Sequence, residues 1–375
     1  MPLLRHALRV QGCGTQGTLR AIETPRIRIL VVAPNWIGDA LLAQPLFARL
    51  HKRLPGVVID ALAPPWTAPV MKRMPEISDV IPSPFRHGEL RLKDRWYLGR
   101  SLRQRYDEAI VLPNTFKSAL IPFFADIHLR VGFTGESRYG LLNVVHKLKE
   151  ERLPLMAERY AQLAENPGED VVRPLEAVRL RVDEANLLIT LARLGLTRAR
   201  PVAVFCPGAE YGPAKRWPER HFAALAQRLA ARGRAVWLIG SDKDQAIGEE
   251  IVNLSASGPG GPGDAAINLC GRTDLASAID LISAAEVVVS NDSGLMHVAA
   301  ALGRPLVALY GSSDSKHTPP LAPTELQARI VEIKGLECRP CFARECPLGH
   351  FRCMNDITPE QVFEEIAAID AALQA

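Results

Sequence analysis

Two doubly wound, parallel α/β sheets in tandem are the fold that this sequence predicts. The length of 375 residues exceeds what one hydrophobic core usually organises. From Arg28 onward, short β-branched runs alternate with longer helical patterns, as in βαβ units around a parallel sheet. The alternation then restarts after a loop over 198–201.

The first series opens with a strand over 27–33 and a helix over 38–54, followed by strands at 57–62, 79–81, 108–112 and 128–131. The second places strands at 202–206, 235–239, 266–269, 286–290 and 306–310, with helices at 218–232, 275–284 and 294–302 between them. The Gly-Pro run over 258–263 cannot be regular structure and reads as a surface loop inside the second unit. A last strand near 330–333 precedes a helix with a defined start: Thr358 as N-cap, Pro359 at the first helical position and Gln361 placed for a capping box. The division that follows is an extension over 1–25, a first domain over 26–197, and a second over 198–375 with a Cys-rich segment at 338–353 and the C-terminal helix.

With 47% apolar and 23% charged residues the composition is that of an ordinary globular chain, and no apolar run approaches the roughly 20 residues of a membrane span. The first 25 residues carry Arg5, Arg9 and Arg20 but are broken by Gly12, Gly14 and Gly17, and lack the apolar centre of a secretory signal. Cys13, Cys206 and Cys270 are scattered and Cys338, Cys341, Cys346 and Cys353 clustered, which is not a small secreted disulfide framework, so a cytoplasmic location is expected. A net charge of +4 is too small for a general nucleic-acid binder. The cluster Arg86, Arg91, Lys93, Arg95, Arg100, Arg103 and Arg105 reads either as a solvated basic face or as a surface for an anionic acceptor or anionic lipid headgroups.

Ligands of such sheets bind outside the carboxyl ends of the strands. The first strand runs into Pro34-Asn35-Trp36-Ile37-Gly38-Asp39, which is not a GxGxxG fingerprint, so no nicotinamide is expected. Gly38 would let backbone approach a ligand; Asp39, at a helix N-terminus, could cap the helix or face the cleft as a base. The loop after 202–206 carries Gly208, Gly212, Lys215 and Arg216, a set suited to phosphate, although Lys215 could also lie in solvent. Gly240-Ser241-Asp242 follows the next strand, where Asp242 could meet ribose hydroxyls or cap a helix. After 286–290, Asn291-Asp292-Ser293-Gly294 opens an Ala-rich helix whose free amides suit an anion. A carboxylate aimed at diphosphate would repel it, so Asp292 is expected to cap backbone amides while Ser293 and Gly294 hold phosphate. His297 lies one turn further, as a packing residue or a ligand contact.

The segments NWIGDALLAQPL (35–46), PGAEYGPAKRWP (207–218) and SNDSGLMHVAAALGRPLVALYG (290–311) resemble the ADP-heptose:lipopolysaccharide heptosyltransferases of glycosyltransferase family 9. The segment CRPCFARECPLGHFRCM (338–354) is similar to the heptosyltransferase II branch, and the resemblance covers the chain from about residue 26 to 373. It implies a GT-B fold of two Rossmann-like domains, with donor on the second and acceptor on the first, and inversion at the anomeric carbon without a cofactor or required metal. On this resemblance Asp39 is the base and Lys215 stabilises departing ADP. Gly208, Gly240, Ser241, Asp242, Asp292, Ser293, Gly294, Leu295 and His297 line the donor side, and Gly38, Lys117, Ser118 and Arg138 the acceptor side. Asp242 departs from the Glu common in related chains.

The partners implied are ADP-heptose and an anionic acceptor, heptosyl-Kdo2-lipid A, met peripherally at the cytoplasmic face of the inner membrane, with no nucleic acid. Alternatives are heptosyltransferase I or another core heptose transferase, a GT-B-like sugar-nucleotide epimerase that needs no lipid acceptor, or a non-catalytic binding module. The C-x2-C-x4-C-x6-C spacing of Cys338, Cys341, Cys346 and Cys353, with His350 spare, could close a structural zinc site or simply supply small apolar residues; the latter is expected, because the family's chemistry needs no metal.

Overall fold

A computed structural model describes residues 26–86, 88–257, 266–322 and 327–374; the expected extension over 1–25 and the Gly-Pro run over 258–263 lie outside them. The first half contains β1 (Arg28–Val32), α1 (Ile37–Leu42), α2 (Gln44–Arg53), β2 (Val58–Ala63), α3 (Ala68–Arg73), β3 (Asp79–Pro82), α4 (Leu92–Ser101), β4 (Glu108–Val111), α5 (Phe116–Phe124), β5 (Leu129–Phe133), β6 (Val144–His146), α6 (Met156–Ala161) and α7 (Glu184–Leu194). The second contains β7 (Val202–Cys206), α8 (Glu219–Ala231), β8 (Ala235–Leu238), α9 (Gln245–Ala256), β9 (Ile267–Asn268), α10 (Leu275–Ser283), β10 (Val287–Asn291), α11 (Gly294–Ala301), β11 (Leu306–Tyr310), β12 (Ala328–Glu332), α12 (Arg352–Asn355) and α13 (Pro359–Gln374).

The strands form two six-stranded sheets, ordered β3-β2-β1-β4-β5-β6 and β12-β11-β10-β7-β8-β9, with every pairing parallel. Central strands such as Val202–Cys206 and Leu306–Tyr310 are buried at every position because helices cover both faces, which is why they read as unbroken apolar runs. One apolar cluster spans both sheets, joining Ile29, Val31, Leu41 and Phe47 to Val204, Met296, Val298 and Leu306. Separate clusters fill the outer faces, under α4 and α5 on the first sheet and under α8 and α13 on the second. The predicted start of the last helix is present: the Thr358 amide donates to Gln361 Oε1 at 2.9 Å and the Gln361 amide to Thr358 Oγ1 at 3.2 Å.

Two expectations change. The helix over 38–54 is two helices that meet at Ala43, because Pro45 has no N–H to continue the ladder across the junction. The boundary after residue 197 would leave α7 with the first unit, whereas α7 packs on α10 of the second. The Asp183 amide donates to Asp280 Oδ1 at 2.9 Å and Asn186 Nδ2 to Asp280 Oδ2 at 2.7 Å, fixing that packing.

The same carboxylate, fully buried, accepts from Arg73 Nη2 of α3 at 2.7 Å, so one desolvated ion pair ties the first sheet's helix layer to the second's. Removing a partner from such a pair strands a buried charge. Arg73→Ala should therefore lower unfolding stability by about 3 kcal/mol, while Arg103→Ala, which breaks an exposed pair with Asp126, leaves the transition unchanged. Chemical denaturation of the two variants checks this, and equal midpoints would contradict it.

Candidate functional site

Chain order reverses between β1 and β4 in the first sheet and between β7 and β10 in the second, and crevices at such switch points open beyond the carboxyl ends of the strands. The helices that start there, α1 and α11, pack on each other and bring the two crevices together. Glycine makes the approach possible. A β-carbon at Gly38 would sit 2.9 Å from His297 Cδ2, and one at Gly294 2.8 Å from Ile37 Cβ. Gly38 thus admits the His297 ring, where a ligand was expected. His297 is buried, and burial pushes its pKa down to about 4, so the ring packs in the seam as a neutral imidazole.

Asp39 follows in the first turn of α1 and makes no cap of the kind expected for a purely structural Asp: that helix has no side-chain cap hydrogen bond. Burial lifts its carboxyl from 3.8 to about 6, partly offset by His317 and Lys215, whose charges reach it from the second half of the chain. The Tyr160 hydroxyl is raised by burial and by the Asp39 charge, which puts α6 on the same side of the cleft. His317 is held by Nδ1–H donating to Pro154 O at 2.7 Å, while its carbonyl accepts from the Met156 amide at 3.0 Å.

Across the cleft, Lys215 Nζ donates to Asp292 Oδ2 at 2.5 Å, and Ser313 Oγ donates to the same oxygen at 2.5 Å. Asp292 therefore fixes a lysine, and does not cap amides as expected. An ammonium 2.5 Å away satisfies a carboxylate better than the neutral N–H groups of α11. Lys215 lies 17% exposed and is correspondingly less mobile than a surface lysine. Ser293, Gly294 and Leu295 are half-buried at the start of α11, which also has no side-chain cap, so its first amides stay open toward the cleft.

The Cys-rich segment clasps this loop from outside. Ala214 N donates to Arg344 O at 3.0 Å, Tyr211 OH to Phe342 O at 2.6 Å, and Phe342 N to Ser312 O at 2.8 Å. Gly212 is required there, since a β-carbon would lie 2.4 Å from Arg344 O. Arg339 anchors the segment through Gly311 O, Ile333 O and Glu332 Oε2 at 2.6, 2.8 and 3.0 Å. Cys353 is buried, Cys338 and Cys346 are half-buried and Cys341 is exposed; no group of three or more His, Cys, Asp or Glu among the described residues is placed to hold a metal ion.

Gly208 and Gly240 line the loops after β7 and β8, but both serve Asp244, whose carboxylate fills the space that their β-carbons would take. Asp244 accepts from Ser241 N and Oγ at 2.9 and 2.8 Å, leaving Asp242 exposed at the strand's end.

On the first sheet a cleft of about 440 Å3 opens beyond β1, β2, β3 and β4. Lys117 and Ser118, expected on the acceptor side, line it together with Arg86, Arg95 and Glu136. Arg95 is buried and spends its guanidinium on the carbonyls of Leu90, Lys117 and Glu89, with the Glu89 charge nearby. Arg138 does not face the cleft. It is 3% exposed and donates to Pro113 O, Asn114 Oδ1 and Phe133 O, an internal brace in place of an acceptor contact.

His317, Tyr160, Ser313 and Asp244 escaped the sequence. Ser313 was reachable, since it follows the β11 strand directly; His317 and Tyr160 lie in a loop and a six-residue helix with no periodic signal.

Residues 95–352 match the model of glycosyltransferase family 9 (heptosyltransferase). Lipopolysaccharide heptosyltransferase 2 of Escherichia coli is 47% identical over 92% of this chain and 98% of its own length. Lipooligosaccharide heptosyltransferase 2 of Haemophilus influenzae is 42% identical over 91% and 98%. The solved E. coli ADP-heptose lps heptosyltransferase II superposes with a TM-score of 0.81 at 43% identity, covering 93% of this chain and all of that one. With its two parallel sheets, its paired helix starts and these relatives together, the chain belongs to glycosyltransferase family 9.

Proposed function

We propose that this enzyme transfers L-glycero-D-manno-heptose from ADP-heptose onto the first heptose of the lipopolysaccharide inner core, with inversion and without a metal. One observation carries the reading: a half-buried carboxylate, Asp39, whose desolvation lifts its pKa to about 6, stands on one wall of the cleft opposite a lysine and an uncapped helix start on the other. The 47% identity to the E. coli heptosyltransferase 2 supports the choice of substrate over that of the heptosyltransferases 1 of Pseudomonas aeruginosa and 3 of E. coli, each 24% identical.

In this reading the acceptor hydroxyl oxygen attacks the anomeric carbon from the face opposite the diphosphate, and its proton passes to Asp39. The bond from anomeric carbon to phosphate oxygen breaks and its electron pair leaves with ADP. A carboxylate of raised pKa is a stronger base than a solvated one, yet it is still ionised at neutral pH. The growing charge on the diphosphate meets Lys215 and the amides of Gly294 and Leu295, donors already in place before the reaction. Asp292 and Ser313 hold Lys215 in position. In this reading the exposed Asp242 accepts from the ribose hydroxyls. The cleft with Arg86, Arg95 and Lys117 takes the anionic core of the acceptor, and Ser118 lies beside them. Because that acceptor is lipid-linked, the enzyme works peripherally at the cytoplasmic face of the inner membrane; no helix among the described residues is long and apolar enough to cross it.

Asp39→Asn should cut turnover by roughly two orders of magnitude or more while ADP-sugar affinity stays within a few-fold, the pattern of a lost base. For the unaltered enzyme, turnover should fall as pH drops through about 6, where Asp39 takes up its proton. Steady-state kinetics across pH reads both, and near-normal turnover of the Asn variant would remove Asp39 from the chemistry.

Lys215→Ala should weaken ADP binding and also slow transfer, since the charge acts on diphosphate before and during departure. Calorimetry with ADP beside turnover measurement is the check. Unchanged affinity with normal turnover would place Lys215 outside the pocket.

A further inference from the structure

Of its large apolar side chains, helix α4 turns only Leu98 toward the core. Its buried face carries Arg95 and Gly99, the latter so close to α5 that a β-carbon would meet Phe124 Cβ at 2.6 Å. Its outer face carries the large apolar side chains: Leu92, Trp96 and Tyr97 are 51%, 44% and 55% exposed. At helical spacing Leu92, Trp96 and Arg100 form one ridge and Lys93 and Tyr97 the next. A cation stands over each ring, Arg100 at 5.7 Å from Trp96 and Lys93 at 5.9 Å from Tyr97. An apolar helix face normally seeks the core, so this one is built for something outside the chain.

Charge says what that is. Residues 86–105 hold seven Arg or Lys against two Asp or Glu. Aromatic rings on the same face as flexible cations suit the boundary of an anionic bilayer, where rings settle among the headgroups and ammonium or guanidinium groups meet phosphate. A protein partner matched to the rings would have to bury the cations as well. The patch also continues into the acceptor cleft: Leu90, 49% exposed, and Phe116, 41% exposed, both line that cleft and flank α4 in the fold.

We propose that the outer face of α4, formed by Leu92, Lys93, Trp96, Tyr97 and Arg100, is the surface on which the enzyme lies against an anionic bilayer, with the acceptor cleft opening at headgroup level. This deepens the reading of the acceptor as lipid-linked and rests on it: a sugar chain could enter the cleft while its acyl chains stay in the membrane. The surface adds affinity for the membrane and leaves the chemistry at Asp39 untouched.

Flotation with vesicles tests it, using phosphatidylcholine alone and phosphatidylcholine mixed with phosphatidylglycerol. The intact chain should float with the mixed vesicles, much less with the neutral ones, and less as salt rises. Leu92→Ser, Trp96→Ser and Tyr97→Ser combined, and separately Lys93→Glu with Arg100→Glu, should each lower the floated fraction about tenfold. The triple variant should still transfer heptose to a deacylated, soluble acceptor at the unaltered rate. Flotation of either variant equal to that of the intact chain would overturn the proposal, as would equal binding to neutral vesicles. So would a dimer of the intact chain that the triple variant dissociates while vesicle binding persists. Failure of the intact chain on the soluble acceptor would instead strike the acceptor reading, since the flotation result does not depend on transfer.

Discussion

The contact between the first turns of α1 and α11 sets where everything else in the cleft can stand. Gly38 makes room for the His297 ring, and Gly294 makes room for Ile37. Any side chain at either position would wedge the two sheets apart by the width of a methyl group, and interiors at crystal-like density do not absorb that without moving backbone. Because the helices start at the carboxyl ends of β1 and β10, the same contact fixes Asp39 and Asp292 on opposite walls. The buried pair of Arg73 and Asp280 holds the layers together from the other side.

Closing that seam also dries it, and the dryness sorts the charges. Asp39 rises to about 6 because its charged form loses water, with only partial relief from His317 and Lys215. His297 falls to about 4 for the same reason and so adds no positive charge beside the lysine. Lys215 pairs with Asp292, which a second donor, Ser313, holds in place. The cation of the cleft is thus already aimed before a ligand enters. The Cys-rich segment enters this arrangement through hydrogen bonds to the Lys215 loop, a mechanical role that its cysteine spacing did not announce.

How legible was this in the sequence? Strands buried on both faces, such as Val202–Cys206 and Leu306–Tyr310, read directly, because an unbroken apolar run between polar turns has few other uses. The sheet edge β6, three residues long, and the six-residue helices α3 and α6 gave no periodic signal, since tertiary packing decides such short pieces. In the site, Asp39, Lys215, Asp292 and His297 were visible as polar residues just past strand ends. Their partners were not. Whether Asp292 serves amides or a lysine, and whether Arg138 meets an acceptor or braces three internal carbonyl oxygens, depends on contacts that, the one to Phe133 aside, join residues 20 or more positions apart. Gly208 and Gly240 were legible as points of close approach, but the sequence could not say that Asp244 makes that approach.

A donor wall and an acceptor wall joined through one closed seam suit a single heptosyl transfer onto a core that already carries one heptose. Mass spectrometry of the products formed from ADP-heptose and Kdo2-lipid A bearing zero, one or two heptoses measures this directly. A gain of one heptose on the singly substituted acceptor alone, with release of ADP, is the expected result. Transfer to the unsubstituted acceptor, or conversion of ADP-heptose with no acceptor present, would contradict it.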